Sequence, residues 1–152
     1  MSAARAYKSK TIATWIALVG GGLGLHRFYL HGLKDRWGWL CLIPTALGLW
    51  GVERVQAFGQ DDQMAWILVP LLGLILAATM LTAIVYGLMP DEKWNARYNP
   101  DGPDHHSGWA TVFGVAVALF IGAGVLMATL AFSGQRYFEY QVEEARKISQ
   151  DS

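Results

Sequence analysis

Charged residues divide the chain into long apolar segments separated by short polar ones. Residues 37–52, 65–89 and 107–135 contain no Asp, Glu, Lys or Arg, and the charges crowd into the stretches between them. An α-helix needs about 20 predominantly apolar residues to cross the hydrocarbon core of a bilayer. The pattern predicts an all-α integral membrane protein, a helical bundle of four transmembrane helices arranged as two antiparallel hairpins.

The predicted spans are residues 11–30, 33–55, 65–89 and 109–132. The third carries the strongest signal, because twelve of its residues are Leu, Ile or Val. The first is short in apolar length, since residues 11–25 are free of charge and would cover only about 22 Å as a helix. Extending it to Leu30 places Arg27 near one end, where a long side chain can reach the interface.

The stretches outside the spans complete the predicted organisation. It consists of a polar N-terminal tail at 1–10, a first hairpin at 11–56, a second hairpin at 57–134 with a polar loop at 90–107, and an amphipathic C-terminal tail at 135–152. Three prolines and Gly102 predict irregular backbone in the loop. In the tail, Phe138, Val142, Ala145 and Ile148 recur at helical spacing.

Composition agrees with a membrane protein. Hydrophobic residues make up 53% of the chain and charged residues 16%, and the net charge is zero, so no nucleic-acid partner is expected. The single cysteine, Cys41, excludes an internal disulfide framework and is expected to be a buried, inert thiol. The cationic start of the chain runs into an apolar segment without a cleavage-site pattern, which is typical of an uncleaved signal anchor.

Four spans would place both termini on one side of the membrane. That side would hold seven Lys and Arg residues and the other side five, so the positive-inside rule favours cytoplasmic termini. The short loops and the uncleaved anchor lead us to expect the bacterial inner membrane.

Small residues at four-residue spacing predict helix-packing faces. Gly20 and Gly24 form one pair, and Gly114, Ala118 and Gly122 form a second set in the fourth span. Small side chains let helix backbones approach closely in lipid. The spacing leaves open whether these faces pack within the bundle or between copies of the chain.

The segment His26-Arg27-Phe28-Tyr29 is predicted to form the turn between the first two spans. It reads either as an interfacial anchor, with the guanidinium on lipid head groups, or as a functional site at the end of a span. We expect Arg27 to pair with Asp35 rather than with Glu53, which would lie at the opposite face of the membrane.

No catalytic residue, cofactor or metal site is predicted. The loop residues Asp101, Asp104, His105 and His106 include two adjacent histidines, which rarely face one ion, and no second cluster completes a coordination sphere. We expect a solvated loop. The glycine run at 20–24 lacks the spacing of a phosphate-binding loop.

Several features of the first hairpin occur together in one known family. They are Lys8 and Lys10 before the first span, the glycine run at 20–24, the block His26-Arg27-Phe28-Tyr29-Leu30, Trp50 and Glu53. In these features residues 7–56 resemble the TM-two domain family. His31 stands where the family motif has glycine, and His26 stands where animal members have aspartate. The resemblance implies an integral membrane location and a paired-helix fold, and it defines no biochemical activity.

Two functional hypotheses follow. The first is a non-enzymatic scaffold or accessory subunit in the lipid bilayer, which associates through its small-residue faces with other membrane proteins or with itself. The alternative is a small oligomeric channel or transporter component with His26 and Arg27 at a pore mouth. The spans lack convergent polar groups, which favours the first hypothesis and argues against an enzyme.

Overall fold

The computed structural model describes residues 6–151, and all regular structure in this range is helical. The helices are α1 (Lys10–Gly20), a 3₁₀ turn (Gly21–Leu23), α2 (Leu25–His31), α3 (Arg36–Phe58), α4 (Gln63–Leu88), α5 (Asp91–Tyr98) and α6 (Trp109–Asp151). The predicted all-α class is confirmed. Residues 1–5 of the predicted N-terminal tail and Ser152 lie outside the described residues.

The first helix ends halfway through the segment that was predicted as the first span. Ser9 caps α1 by accepting a hydrogen bond from the backbone of its third residue, and α1 stops after 11 residues at Gly20. A 3₁₀ turn follows, and Gly24 then adopts a left-handed conformation with φ +72°. A Cβ atom at Gly24 would also collide with the carbonyl oxygen of Gly38. Only glycine satisfies both conditions.

The chain then turns back toward the start of α1. The Tyr29 hydroxyl accepts a hydrogen bond from the Ser9 backbone N–H at 2.9 Å, and the Tyr29 carbonyl accepts one from Lys8 Nζ at 2.5 Å. The turn itself lies against Thr79, partway along α4. α1 and α2 therefore form a re-entrant hairpin, and the first predicted span does not cross the bundle. An 11-residue helix covers about 16 Å, roughly half of a hydrocarbon core.

α3 and α4 form an antiparallel hairpin. Asp35 caps α3 and Asp62 caps α4, each by accepting a hydrogen bond from a backbone N–H in the first turn. Gly48 and Gly51 lie so close to the α4 backbone near Leu68–Leu72 that neither has room for a Cβ atom. These glycines let the two helix backbones approach as membrane helices do.

α6 is a single continuous helix of 43 residues, so the predicted fourth span and C-terminal tail are one element. It is about 64 Å long, roughly twice the thickness of a hydrocarbon core. Its first part packs on α1 and α4, where Thr111 lies 2.6 Å from Thr11 between hydroxyl oxygens and Gly122 contacts Met80. Beyond Arg136 its described side chains are exposed.

The start and the end of the described part of the chain lie at opposite ends of the bundle. At one end, which we call the N-terminal end, Lys10 Nζ donates to the Met89 carbonyl at 2.7 Å. At the other, the C-terminal end, Arg136 donates to the side chain of Gln60 in the α3–α4 turn, also at 2.7 Å. The sequence predicted both termini on one side of the membrane, whereas the described ends of the chain lie at opposite ends of the bundle because α1 and α2 turn back without crossing it.

The outer surface of the bundle is apolar. α4 and α6 are long and apolar enough to cross a membrane, and Lys10–Leu23 is a shorter apolar helical segment. Only 22% of the most apolar window of α4 and 6% of that of α6 is buried, whereas a core helix of a soluble protein is mostly buried. Such a surface suits lipid rather than water. Four spans were predicted, and the structure has two candidate spans and one short apolar segment. The remaining helix, α3, carries charges near both ends.

We expect Gly24→Ala to destabilise the protein by about 3 kcal/mol, because a side chain there is strained by the positive φ and collides with the Gly38 carbonyl. Chemical unfolding in detergent micelles, followed by tryptophan fluorescence, measures the change. Gly124→Ala is the control, since a Cβ atom at this helical position meets open space. Equal effects at the two positions would contradict the role given to the turn.

Candidate functional site at the N-terminal end of the bundle

The longest loop of the chain contains a short helix, α5, that was not predicted. It follows Pro90, has acidic residues including Asp91 in its first turn and carries Arg97 in its last, an arrangement that suits the helix dipole. Trp94, at its centre, is fully buried. Irregular backbone was predicted throughout 90–107, and this prediction is wrong for α5. Burial of Trp94 against other elements stabilises the helix, and the proline content of the loop gives no sign of it.

Trp94 links α5 to the N-terminal segment and to α4. Its indole Nε1 donates to the Lys8 carbonyl at 2.9 Å. Its ring centroid lies 4.4 Å from that of Tyr98 and 5.8 Å from that of Tyr86. The indole thereby combines apolar packing with the hydrogen bond that a buried tryptophan requires.

A buried lysine lies beside the start of α5. Lys10 is 3% exposed, and its Nζ donates to the Met89 carbonyl and, at 2.5 Å, to the Asp91 carboxylate. Ser107 donates two further hydrogen bonds to Asp91 from its backbone N–H and its hydroxyl. Burial acts to raise the pKa of Asp91, but the hydrogen bonds from Lys10 and Ser107 outweigh it and hold that pKa well below its usual value.

Asn95 of α5 and Asn99, which caps the end of this helix, each bind the backbone of another segment. Asn99 accepts from the Lys8 N–H at 2.8 Å and donates to the Lys8 carbonyl at 3.0 Å. Asn95 makes the same two bonds with the backbone of His105, at 2.8 and 3.0 Å. The Tyr7 hydroxyl lies 2.6 Å from His105 Nδ1, and burial lowers the pKa of His105.

These contacts define one site, which we call the N-terminal polar cluster. Its members are Tyr7, Lys8, Lys10, Asp91, Trp94, Asn95, Asn99, His105 and Ser107. Their polar groups bind chiefly one another, so the cluster holds the start of the chain against the 89–108 connection. Such an arrangement positions elements and presents no activated nucleophile.

The His26–Tyr29 segment lies in helix α2 instead of forming a turn. His26 is buried with its ring 6.1 Å from that of Tyr86. Arg27 Nε donates to the Asp35 carboxylate at 2.6 Å, which confirms the predicted pair. That hydrogen bond also holds the pKa of Asp35 below its usual value.

The two aromatic residues of the segment also contact the protein. The Phe28 ring lies 5.2 Å from that of Trp39 and fills the space that a side chain at Gly38 would occupy. Tyr29 receives the hydrogen bonds from Ser9 and Lys8 described above. The block therefore fixes the re-entrant hairpin against its neighbours through side chains that the sequence alone suggested for the membrane interface.

The predicted packing residues fall into two groups. Gly20 and Gly24 do not share a helix face, because the 3₁₀ turn separates them. Gly114, Ala118 and Gly122 do lie on one face of α6, which packs against α1 and α4 within the chain. The sequence left open whether these faces pack within the bundle or between copies of the chain. Gly114, Ala118 and Gly122 pack within the bundle.

Sequence reasoning missed two features of this structure. Gly48 and Gly51 share a face of the second predicted span and could have been found from their three-residue spacing. The contact between Lys10 and Asp91 joins residues 81 positions apart, and no local pattern signals it.

The four loop residues weighed as metal ligands do not assemble a site. Asp101, Asp104 and His106 are exposed to solvent, and His105 is hydrogen-bonded to Asn95 and Tyr7. Within residues 6–151, no group of three or more His, Cys, Asp or Glu side chains is arranged to hold an ion.

Comparison with known families decides the identity of the first part of the chain. The TM2 domain family model matches residues 6–53. This part of the chain, called the TM2 domain below, is similar to that family. The match covers the N-terminal segment, the re-entrant hairpin and most of α3, which confirms the resemblance found in the sequence. No curated protein and no solved structure matches the chain. The second half, which supplies α4, α5 and α6, is the part against which the TM2 domain packs.

We expect Asp91→Asn to cost about 3–5 kcal/mol of stability, because it leaves the buried Lys10 ammonium without a counter-charge. Lys10→Met should cost less, since Asp91 is 30% exposed and keeps both bonds from Ser107. The double variant should recover part of the loss caused by Asp91→Asn. Denaturant unfolding of the three variants in one detergent measures the order, and a reversed order would contradict the assignment of Lys10 as the buried partner.

Proposed function

We propose that this protein is a non-enzymatic integral membrane scaffold or accessory subunit that acts by helix association. The observation that carries the proposal is the outer face of α6. Ala116, Ala123 and Gly124 are exposed there, and a Cβ atom at Gly124 would meet nothing. These small residues line a shallow depression together with the exposed Phe120. Side chains of another helix fit into such a depression in lipid, where apolar burial alone gives no drive for association.

The interior of the bundle supports the same proposal. Among its buried polar residues are threonines whose hydroxyls donate to backbone carbonyls: Thr45 to Gly22, Thr79 to Leu76 and Thr129 to Val125. Hydroxyls bonded in this way offer no continuous polar path for an ion or a solute through one copy. This favours a scaffold over the channel or transporter alternative.

A topology follows from the proposed membrane location. α3, α4 and α6 each cross the bilayer, and α1 and α2 re-enter from the side of the N-terminal end. Of the described cationic residues, seven lie at the N-terminal end and four at the C-terminal end; the seven are Lys8, Lys10, Arg27, Lys34, Arg36, Lys93 and Arg97, and the four are Arg54, Arg136, Arg146 and Lys147. The positive-inside rule then places the N-terminus in the cytoplasm and the C-terminus on the opposite side.

The topology is tested with single cysteines in a Cys41→Ser background, labelled in intact cells by a membrane-impermeant maleimide. We expect Gln150→Cys to label from outside, and Asp101→Cys to label only after the cells are lysed. Labelling of both positions from the same side would contradict the crossing number.

Association is tested with Gly124→Leu, which places a bulky side chain on the proposed face without touching the bundle interior. We expect it to shift the protein from oligomer to monomer in nanodiscs and in crosslinking from native membranes. Ala46→Leu is the matched control, because Ala46 is an exposed small residue on a different helix, α3.

Three outcomes would overturn the proposal. The wild-type protein could be monomeric and recover no membrane partner, Gly124→Leu could leave the assembly intact, or both variants could disrupt it equally. Water-dependent labelling of a cysteine at Thr79 within the bilayer would instead support the channel alternative.

A further inference from the structure

A surface depression of about 510 Å³ lies beside the N-terminal polar cluster, between the N-terminal segment, the end of α2 and the last turn of α5. Three basic side chains, Lys8, His31 and Arg97, line it together with Leu30, Gly32 and Tyr98. None of its lining residues is acidic.

Among the described residues, Lys8 and Arg97 bring positive charge to this depression without an ion-paired carboxylate. Lys8 Nζ donates to the Tyr29 carbonyl and has no carboxylate within ion-pair distance among the described residues. The described contact of Arg97 is with the ring of its neighbour Tyr98, at 5.5 Å. His31 lies 3.8 Å from Asp35, whose carboxylate is already bound by Arg27.

α5 separates this basic depression from an acidic surface. The opposite side of the helix carries Asp91 and Glu92 and faces Asp104. Arg97 and Tyr98 point away from those carboxylates and into the basic depression. The charge separation gives the depression a preference for anions that the net charge of zero conceals.

In the proposed topology the depression lies at the level of the membrane interface. The residues that follow it in the chain are exposed and amphipathic or apolar: Leu33 is 73% exposed, Trp37 64% and Trp39 54%. Exposed tryptophans mark the head-group level of membrane proteins. Basic pockets between helices at this level suit the phosphate of an anionic lipid, with the guanidinium and ammonium groups as donors.

We infer that the depression formed by Lys8, His31 and Arg97 binds the phosphate of an anionic phospholipid head group. This site is independent of the association face on α6, which lies on a different helix, so either can fail without the other.

The test measures lipid retention by the purified full-length protein. Detergent-solubilised protein is mixed with equal amounts of phosphatidylglycerol and phosphatidylcholine, and bound lipids are counted by native mass spectrometry. We expect phosphatidylglycerol to be retained preferentially. Arg97→Gln should weaken that retention about fivefold, the effect of one cation at a membrane surface.

Lys93→Gln is the matched control. It removes the same charge from the same helix one turn earlier, and Lys93 does not line the depression. Equal losses of phosphatidylglycerol retention in the two variants would show a general attraction of the basic surface for anionic lipid, and would overturn the proposed site. No loss in Arg97→Gln, with an unchanged unfolding midpoint, would overturn it as well.

A second arm distinguishes a lipid from a soluble phosphate. Inorganic phosphate and glycerol 3-phosphate are added at rising concentration to the complex with phosphatidylglycerol. Retention that persists supports the lipid assignment. Displacement of the lipid by either small anion would assign the depression to a soluble phosphate compound and overturn that assignment.

Discussion

The close approach of Gly24 to the carbonyl of Gly38 is the contact on which the arrangement of the chain depends. It requires a residue without a side chain and with a positive φ, and it lets the backbone reverse inside the bundle. Because α2 returns to the end of the bundle at which α1 begins, the first of the four predicted spans does not cross the bundle. The positions of every later helix, and of the C-terminal part of α6, follow from that reversal.

Polar contacts at the N-terminal end of the bundle hold the two ends of the re-entrant hairpin in place. Lys10, buried beside Asp91, and Trp94, bonded to the Lys8 carbonyl, join the TM2 domain to the second half of the chain. Burying any one of these polar groups alone would cost free energy. Together they offset that cost, because each satisfies the hydrogen bonds or the charge of another. The TM2 domain is thus held by residues outside the matched region as well as by its own His26–Tyr29 block.

The outer surface has the opposite character. α4 and α6 present apolar side chains outward, and the proposed association face of α6 is a shallow depression in which Ala116, Ala123 and Gly124 lie beside the exposed Phe120. The proposed lipid site lies elsewhere, where Lys8, His31 and Arg97 converge at the head-group level. The proposed scaffold role would use both surfaces, one as a face for other helices and one to fix the depth in the bilayer, and the two are separate enough to be altered independently.

The sequence by itself determined the helical class, the apolar third and fourth segments, the pairing of Arg27 with Asp35 and the similarity of its first third to the TM2 domain family. These depend on local composition and short spacing, which a single chain displays directly. The tertiary structure alone decided that the first segment turns back, that α5 is helical and that the termini lie at opposite ends. Each of these depends on contacts between distant residues, such as Gly24 with Gly38 and Lys10 with Asp91, whose energies no local pattern reports. The 15 charge-free residues at 11–25 were already too few to cross, but only the packing of the turn against Thr79 and Gly38 explains where they end.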